Sequence, residues 1–171
     1  CASRPGNSYQ ALISRRFNID YFNFGFSGNA LGEKTMADYI AALPMSLFFL
    51  DFDHNSPNAE HLKAHHESFF LNIREKNPDL PVIMATKTDI PRSPAAEKSN
   101  AAHRAVVYET YENAVKRGDR NVIFIDGATV FSKALTLSAP ADSCTVDGCH
   151  PNDLGFACMA KVFGDAIEKM L

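Results

Sequence analysis

Residues 45–57 read MSLFFLDFDHNSP, and this stretch decides the fold class. Leu47 to Phe52 is apolar except for Asp51, strand-sized rather than helix-sized. It runs into Asp, His, Asn, Ser and Pro, a cluster that stops regular structure. Three more short apolar runs behave the same way: Tyr21 to Phe26, Val82 to Ala85 and Val122 to Ile125. Each is followed by Gly, Asp, Asn, Thr or Pro, so four buried strands are predicted.

The segments around these runs carry helical signals. NSYQALISRRF (7–17) and EKTMADYIAAL (33–43) place apolar residues at helical spacing. NAEHLKAHHESFFLNIREKNP (58–78) turns Leu62, Phe69, Phe70 and Ile73 to one side and stops before Pro78. SPAAEKSNAAHRAVVYETYENAVKRG (93–118) opens on Ser-Pro and closes at Gly118, and residues 151–171 supply a last helix. Strands alternating with helices predict an α/β fold: a mostly parallel sheet covered on both faces, the three-layer arrangement. Ligands of such sheets gather beyond the carboxyl ends of the strands.

The totals narrow the class. A length of 171 residues suits one domain spanning 1–171. Seventeen basic against twenty acidic side chains give a net charge of -3, which argues against nucleic acid as a partner. Arg15-Arg16 is the nearest approach to a basic cluster. No apolar run approaches the roughly 20 residues that a membrane span needs. Cys1, Cys144, Cys149 and Cys158 lack zinc-site spacing, and Cys144 with Cys149 either staples the loop between them or both remain thiols.

Candidate chemistry sits after the strands. Gly28, in GFSGNA (25–30), lets its backbone N–H approach a bound oxygen unobstructed. Asn55, in DFDHN (51–55), offers a side-chain amide donor at a strand end. In DSCTVDGCHPNDLGF (142–156), Asp147 precedes His150 by three positions. A carboxylate bonded to one imidazole nitrogen frees the other to accept a proton from a nucleophile. Asp51 and Asp53 share a strand face and could hold Mg²⁺ with Asp89, which is the alternative of a metal-dependent phosphoesterase. His61 and His65 share a helix face, where a solvated surface is expected over a metal pair.

These motifs resemble, in order and across nearly the whole chain, the SGNH (GDSL-like) hydrolase family of esterases and lipases. NFGFSGNA is similar to its second block, DFDHN to its third and DGCHPND to its fifth. The third departs from the usual GxND. The resemblance implies a flavodoxin-like sheet and a serine esterase that acts on a small acyl ester. Acetylated carbohydrate is the expected substrate, and no cofactor or metal is needed.

By the same resemblance, Asp147 and His150 complete a triad, and Gly28 and Asn55 line the oxyanion hole. Arg4, Asp53 and His54 are candidate substrate-binding residues. The family's serine block has no counterpart here, and Ser3 and Ser27 are not assigned the role. The expectation is a domain without its first central strand and serine loop, the natural protein continuing upstream of Cys1. A periplasmic or secreted location suits the family; a non-catalytic carbohydrate-binding domain on the same fold is the other alternative.

Overall fold

Three parallel strands, β1 (Phe48–Leu50), β2 (Val82–Ala85) and β3 (Val122–Ile125), form a sheet in the order β1-β2-β3. The structure is a computed structural model that describes residues 2–135 and 140–171. Phe48 pairs with Val82, which pairs with Val122, and the register continues to Met84 and Phe124. Parallel neighbours cannot be joined by tight hairpins, and helices make the crossovers. α3 (Ala59–Lys76) links β1 to β2, and α4 (Pro94–Lys116) links β2 to β3. The α/β class read from the sequence is the one found.

The chain divides into two compact units: Cys1–Asn23 with Thr88–Ala96 and Asp126–Leu171, and Phe24–Lys87 with Glu97–Ile125. The second unit holds the sheet. All four residues of β2 are buried, as a strand covered on both faces requires. Around it pack Leu50, Leu62, Phe69, Phe70, Ile73 and Val107. α2 (Lys34–Ala41) adds Ala37, Ile40 and Ala41 to this core. Asn58 caps α3 by accepting from His61 N–H at 2.8 Å. At the other end Arg74 donates to Asp119 Oδ2 at 2.7 Å and to the carbonyl of Leu80 at 2.6 Å. That half-buried guanidinium ties the end of α3 to the entries of β2 and β3.

Tyr21 to Phe26 is not a strand. Tyr21, Phe22 and Phe26 are exposed, and Phe26 N–H bonds the Phe24 carbonyl at 2.9 Å, closing a turn. An apolar run becomes a strand only where a neighbour pairs with its backbone, and no ladder reaches this run among the described residues. β1 is also shorter than the Leu47 to Phe52 run. Asp53–Asn55 folds into a 3₁₀ turn directly after it.

In the first unit α1 (Tyr9–Phe17), the short α5 (Val130–Ala134) and α6 (Asp153–Glu168) pack together. Tyr9 meets Phe163 edge to face at 5.3 Å between centroids. α5 carried no clear sequence signal. α6 starts later than Pro151: Asn152 Oδ1 accepts from Gly155 N–H at 3.1 Å, and Pro151 pairs with Thr145 in an isolated bridge. Cys144 and Cys158 are free thiols, so no Cys144–Cys149 staple forms. Cys144 and Cys158 are buried with their sulfurs 3.9 Å apart. Burial pushes the Cys144 thiol up to about 12. Cys1 lies outside the described residues. No helix among the described residues is long and apolar enough to cross a membrane.

Two tests follow from this packing. A Cβ on Gly155 would lie 2.1 Å from the Cys144 carbonyl oxygen, so only glycine lets α6 approach that backbone. Gly155→Ala is expected to lower the unfolding free energy by about 1–3 kcal/mol, the usual range for overpacking, read from urea denaturation. His66 is the second. It is 1% exposed, its Nδ1 bonds Thr110 Oγ1 at 2.9 Å and its Nε2 has no partner among the described residues. Burial pushes the imidazole from 6.5 down to about 4, against a smaller opposing pull from Glu67. Below the unfolded value the unfolded chain takes up a proton that the folded chain refuses. Stability therefore falls as pH drops from 6.5 to about 4 and levels off below. The loss attributable to His66 should be about 3 kcal/mol and should be absent in His66→Gln, measured by denaturation at each pH.

Candidate active site

The loop carrying Asp147 and His150 is closed by its own backbone. Val146 N–H donates to the His150 carbonyl at 2.9 Å, and Gly148 N–H donates to Thr145 Oγ1 at 3.0 Å. Gly148 adopts φ +93°, a conformation that a residue with a side chain rarely takes. The turn folds the Asp147 carboxylate back over the two residues that follow Gly148. Asp147 Oδ1 accepts from the N–H groups of Cys149 and His150, both at 2.8 Å. Its Oδ2 faces His150 Nδ1 at 2.7 Å.

Charge and tautomer follow from this geometry. The His150 N–H, its ring and the Cys149 N–H hold the Asp147 carboxyl well below the usual carboxylate range. An ionised carboxylate only accepts, so Nδ1 carries the proton toward it and Nε2 presents a lone pair. Nε2 makes no hydrogen bond among the described residues, and the His150 side chain is 62% exposed. The pair is an oriented, open base. The sequence placed these two residues together, and the structure brings them into contact.

Gly28 stands in an exposed turn at φ +69°, and a Cβ there would meet nothing within 4 Å. Phe26 C=O accepts from Asn29 N–H at 2.9 Å to close that turn. Asn55 Nδ2 donates to the same carbonyl at 3.4 Å. The Asn55 amide and the Gly28 turn are therefore neighbours, and the Gly28 N–H makes no hydrogen bond among the described residues.

Asp53 departs from its expected substrate-binding role. It is 3% exposed, and its Oδ2 accepts from Lys87 N–H at 3.0 Å while Oδ1 has no partner among the described residues. Burial raises its carboxyl, which favours the neutral form. The alternation that put Asp51 and Asp53 on one strand face fails because the chain turns into the 3₁₀ segment at Asp53. Among the described residues no three His, Cys, Asp or Glu side chains converge to hold a metal. His54 is exposed.

Arg4 lies near Asp153, whose carboxyl is lowered first by Ser3 and Asn7 and then by Arg4. Ser3 Oγ donates to Asp153 Oδ2 at 2.5 Å and so is engaged at the start of α6. His61 and His65 stack at 4.1 Å, with His65 Nδ1 on the His61 carbonyl and His61 Nδ1 on Ser56 Oγ. They form a hydrogen-bonded helix face. Sequence reasoning missed the supports of the base loop: Thr145, Gly148, and Ile90, whose N–H donates to the Gly148 carbonyl at 2.6 Å. The glycine inside DGCH was the available signal.

Comparison with known proteins gives the family and the fold. No curated protein matches the chain. Among solved structures, a protein described as a GDSL-like lipase from Bacteroides ovatus ATCC 8483 aligns over 99% of this chain at 30% identity and a TM-score of 0.83. The salicylyl-acyltransferase SsfX3 of a tetracycline biosynthetic pathway shares the fold at 22% identity and a TM-score of 0.75, again over 99% of this chain. A family two carbohydrate esterase from Clostridium thermocellum, in complex with cellohexaose, shares it at 14% identity and a TM-score of 0.65, over 96%. The chain spans about half the length of these structures, 49%, 51% and 54% respectively. Residues 1–168 match the GDSL-like lipase/acylhydrolase family, and the chain belongs to that family.

Proposed function

We propose that the protein carrying this chain is a serine esterase that removes a small acyl group, acetyl foremost, from a carbohydrate ester. The observation that carries it is the Asp147–His150 pair, a carboxylate on Nδ1 at 2.7 Å with Nε2 left open. His150 Nε2 takes the proton of a serine hydroxyl while the serine oxygen attacks the ester carbonyl carbon. The Gly28 N–H and the Asn55 amide act as donors to the oxyanion, roles carried over from the family motifs. When the tetrahedral intermediate collapses, the bond to the alcohol oxygen breaks and His150 gives its proton to that oxygen. Water then attacks the acyl-serine with His150 again as base.

Asp147 keeps the imidazole in the tautomer that can do this and stabilises the imidazolium that forms. No step calls for a metal or organic cofactor. The nucleophile is taken to be a serine outside these 171 residues, because Ser3 is engaged by Asp153 and no family serine block occurs here. The carbohydrate preference draws support from the Clostridium thermocellum neighbour, a carbohydrate esterase seen with cellohexaose.

In the full-length protein, His150→Ala and Asp147→Asn should each lower kcat on 4-nitrophenyl acetate by roughly 10³–10⁴, with little change in melting temperature. Asn55→Ala should cost roughly 10²–10³ in kcat, the worth of one oxyanion donor. A fluorophosphonate should label the wild type at a single serine. A folded full-length protein that takes no label and releases no acetate sinks the esterase assignment.

A further inference from the structure

Arg92 lies against the base loop, and neither the triad nor the oxyanion hole uses it. Pro91 before it has a fixed φ and restricts Ile90, and Ser93 after it caps α4 by accepting from Ala96 N–H at 3.1 Å. Ile90 N–H, two residues earlier, grips the Gly148 carbonyl at 2.6 Å. The arginine stem then folds onto Gly148. A Cβ built on that glycine would stand 2.6 Å from Arg92 Nε and 3.0 Å from its Cδ. The space a side chain would fill at Gly148 is thus occupied by the arginine, beside Asp147 and two residues from His150.

The stem is held, yet the charge is unanswered. Arg92 is exposed and makes no hydrogen bond or ion pair among the described residues. The adjacent carboxylate does not pair with it; the Asp147 oxygens accept from the Cys149 and His150 donors. A guanidinium whose stem lies on Gly148 and whose nitrogens bond nothing among the described residues offers a fork for a planar oxyanion. Its position selects the part of the substrate it meets. His150 must protonate the leaving alcohol, so the alcohol portion lies on the His150 side of the ester.

We propose that Arg92 is a specificity-determining residue that binds a carboxylate carried on the alcohol portion of the ester, as on an acylated sugar acid. This deepens the esterase proposal and rests on it. The test uses the full-length protein with 4-acetoxybenzoate, whose leaving phenol carries a carboxylate, and with methyl 4-acetoxybenzoate, its neutral counterpart. The readout is the ratio of the two kcat/KM values, and comparing that ratio between wild type and variant cancels the intrinsic reactivity of each ester.

Arg92→Gln should lower that ratio about tenfold, the size of one charge-assisted hydrogen bond. Arg92→Lys should retain part of it, because the charge remains and the fork is lost. Salt at 0.5 M should erode the wild-type ratio and leave that of Arg92→Gln unmoved. Equal ratios in wild type and Arg92→Gln overturn the role of Arg92 while the esterase assignment stands. A folded wild type that hydrolyses neither ester overturns both.

Discussion

A strand with every residue closed to solvent constrains everything around it. Val82, Ile83, Met84 and Ala85 are at most 1% exposed. Their backbone groups must be paired on both edges, which β1 and β3 do in parallel register. Parallel pairing in turn demands long crossovers, and α3 and α4 supply them while contributing apolar faces to the core. Strands that run the same way end on the same side, so the residues leaving β1 and β2 meet. The bond from Lys87 N–H to Asp53 Oδ2 is that meeting.

Two aspartates show how environment assigns different work to one side chain. Asp53 is buried, and desolvation favours its neutral form. Asp147 is half exposed, and two backbone N–H groups and an imidazole favour its ionised form. An exposed carboxylate–histidine pair adds little to stability. Its consequence is orientation: the acceptors of Asp147 fix the ring tautomer and direct the free nitrogen outward. The glycine at 148 makes this possible by turning the chain through a left-handed conformation.

The base loop is also supported from a distance in sequence. Ile90 holds the Gly148 carbonyl, Asn152 Nδ2 bonds the Ser143 carbonyl, and Gly155 lets the Cys144 carbonyl approach α6. The proposed role as a catalytic base needs such supports, because a base misplaced by about 1 Å can lose most of its effect. The supports differ in kind: a backbone donor, a side-chain amide and an absent side chain.

Local pattern in the sequence determined much of this. Val82–Ala85 and Val122–Ile125 match their apolar runs to the residue, and the inward face of α3 is the predicted Leu62, Phe69, Phe70 and Ile73. The Asp147–His150 contact was legible because three residues of a tight loop suffice to form it. Tertiary structure alone decided the rest. Tyr21 to Phe26 has strand-like composition, but pairing is a property of a neighbour and not of the run itself. Asp53 was expected at a surface, and only the turn after β1 sends it inward. His66 shares the α3 face with Leu62 and Phe70, yet its burial depends on α4 packing over it. Arg92 and Gly148 stand far apart in the chain, and no periodicity or spacing encodes their contact. Short-range order is written in neighbouring residues, while burial and long-range contact exist only once the chain has closed on itself.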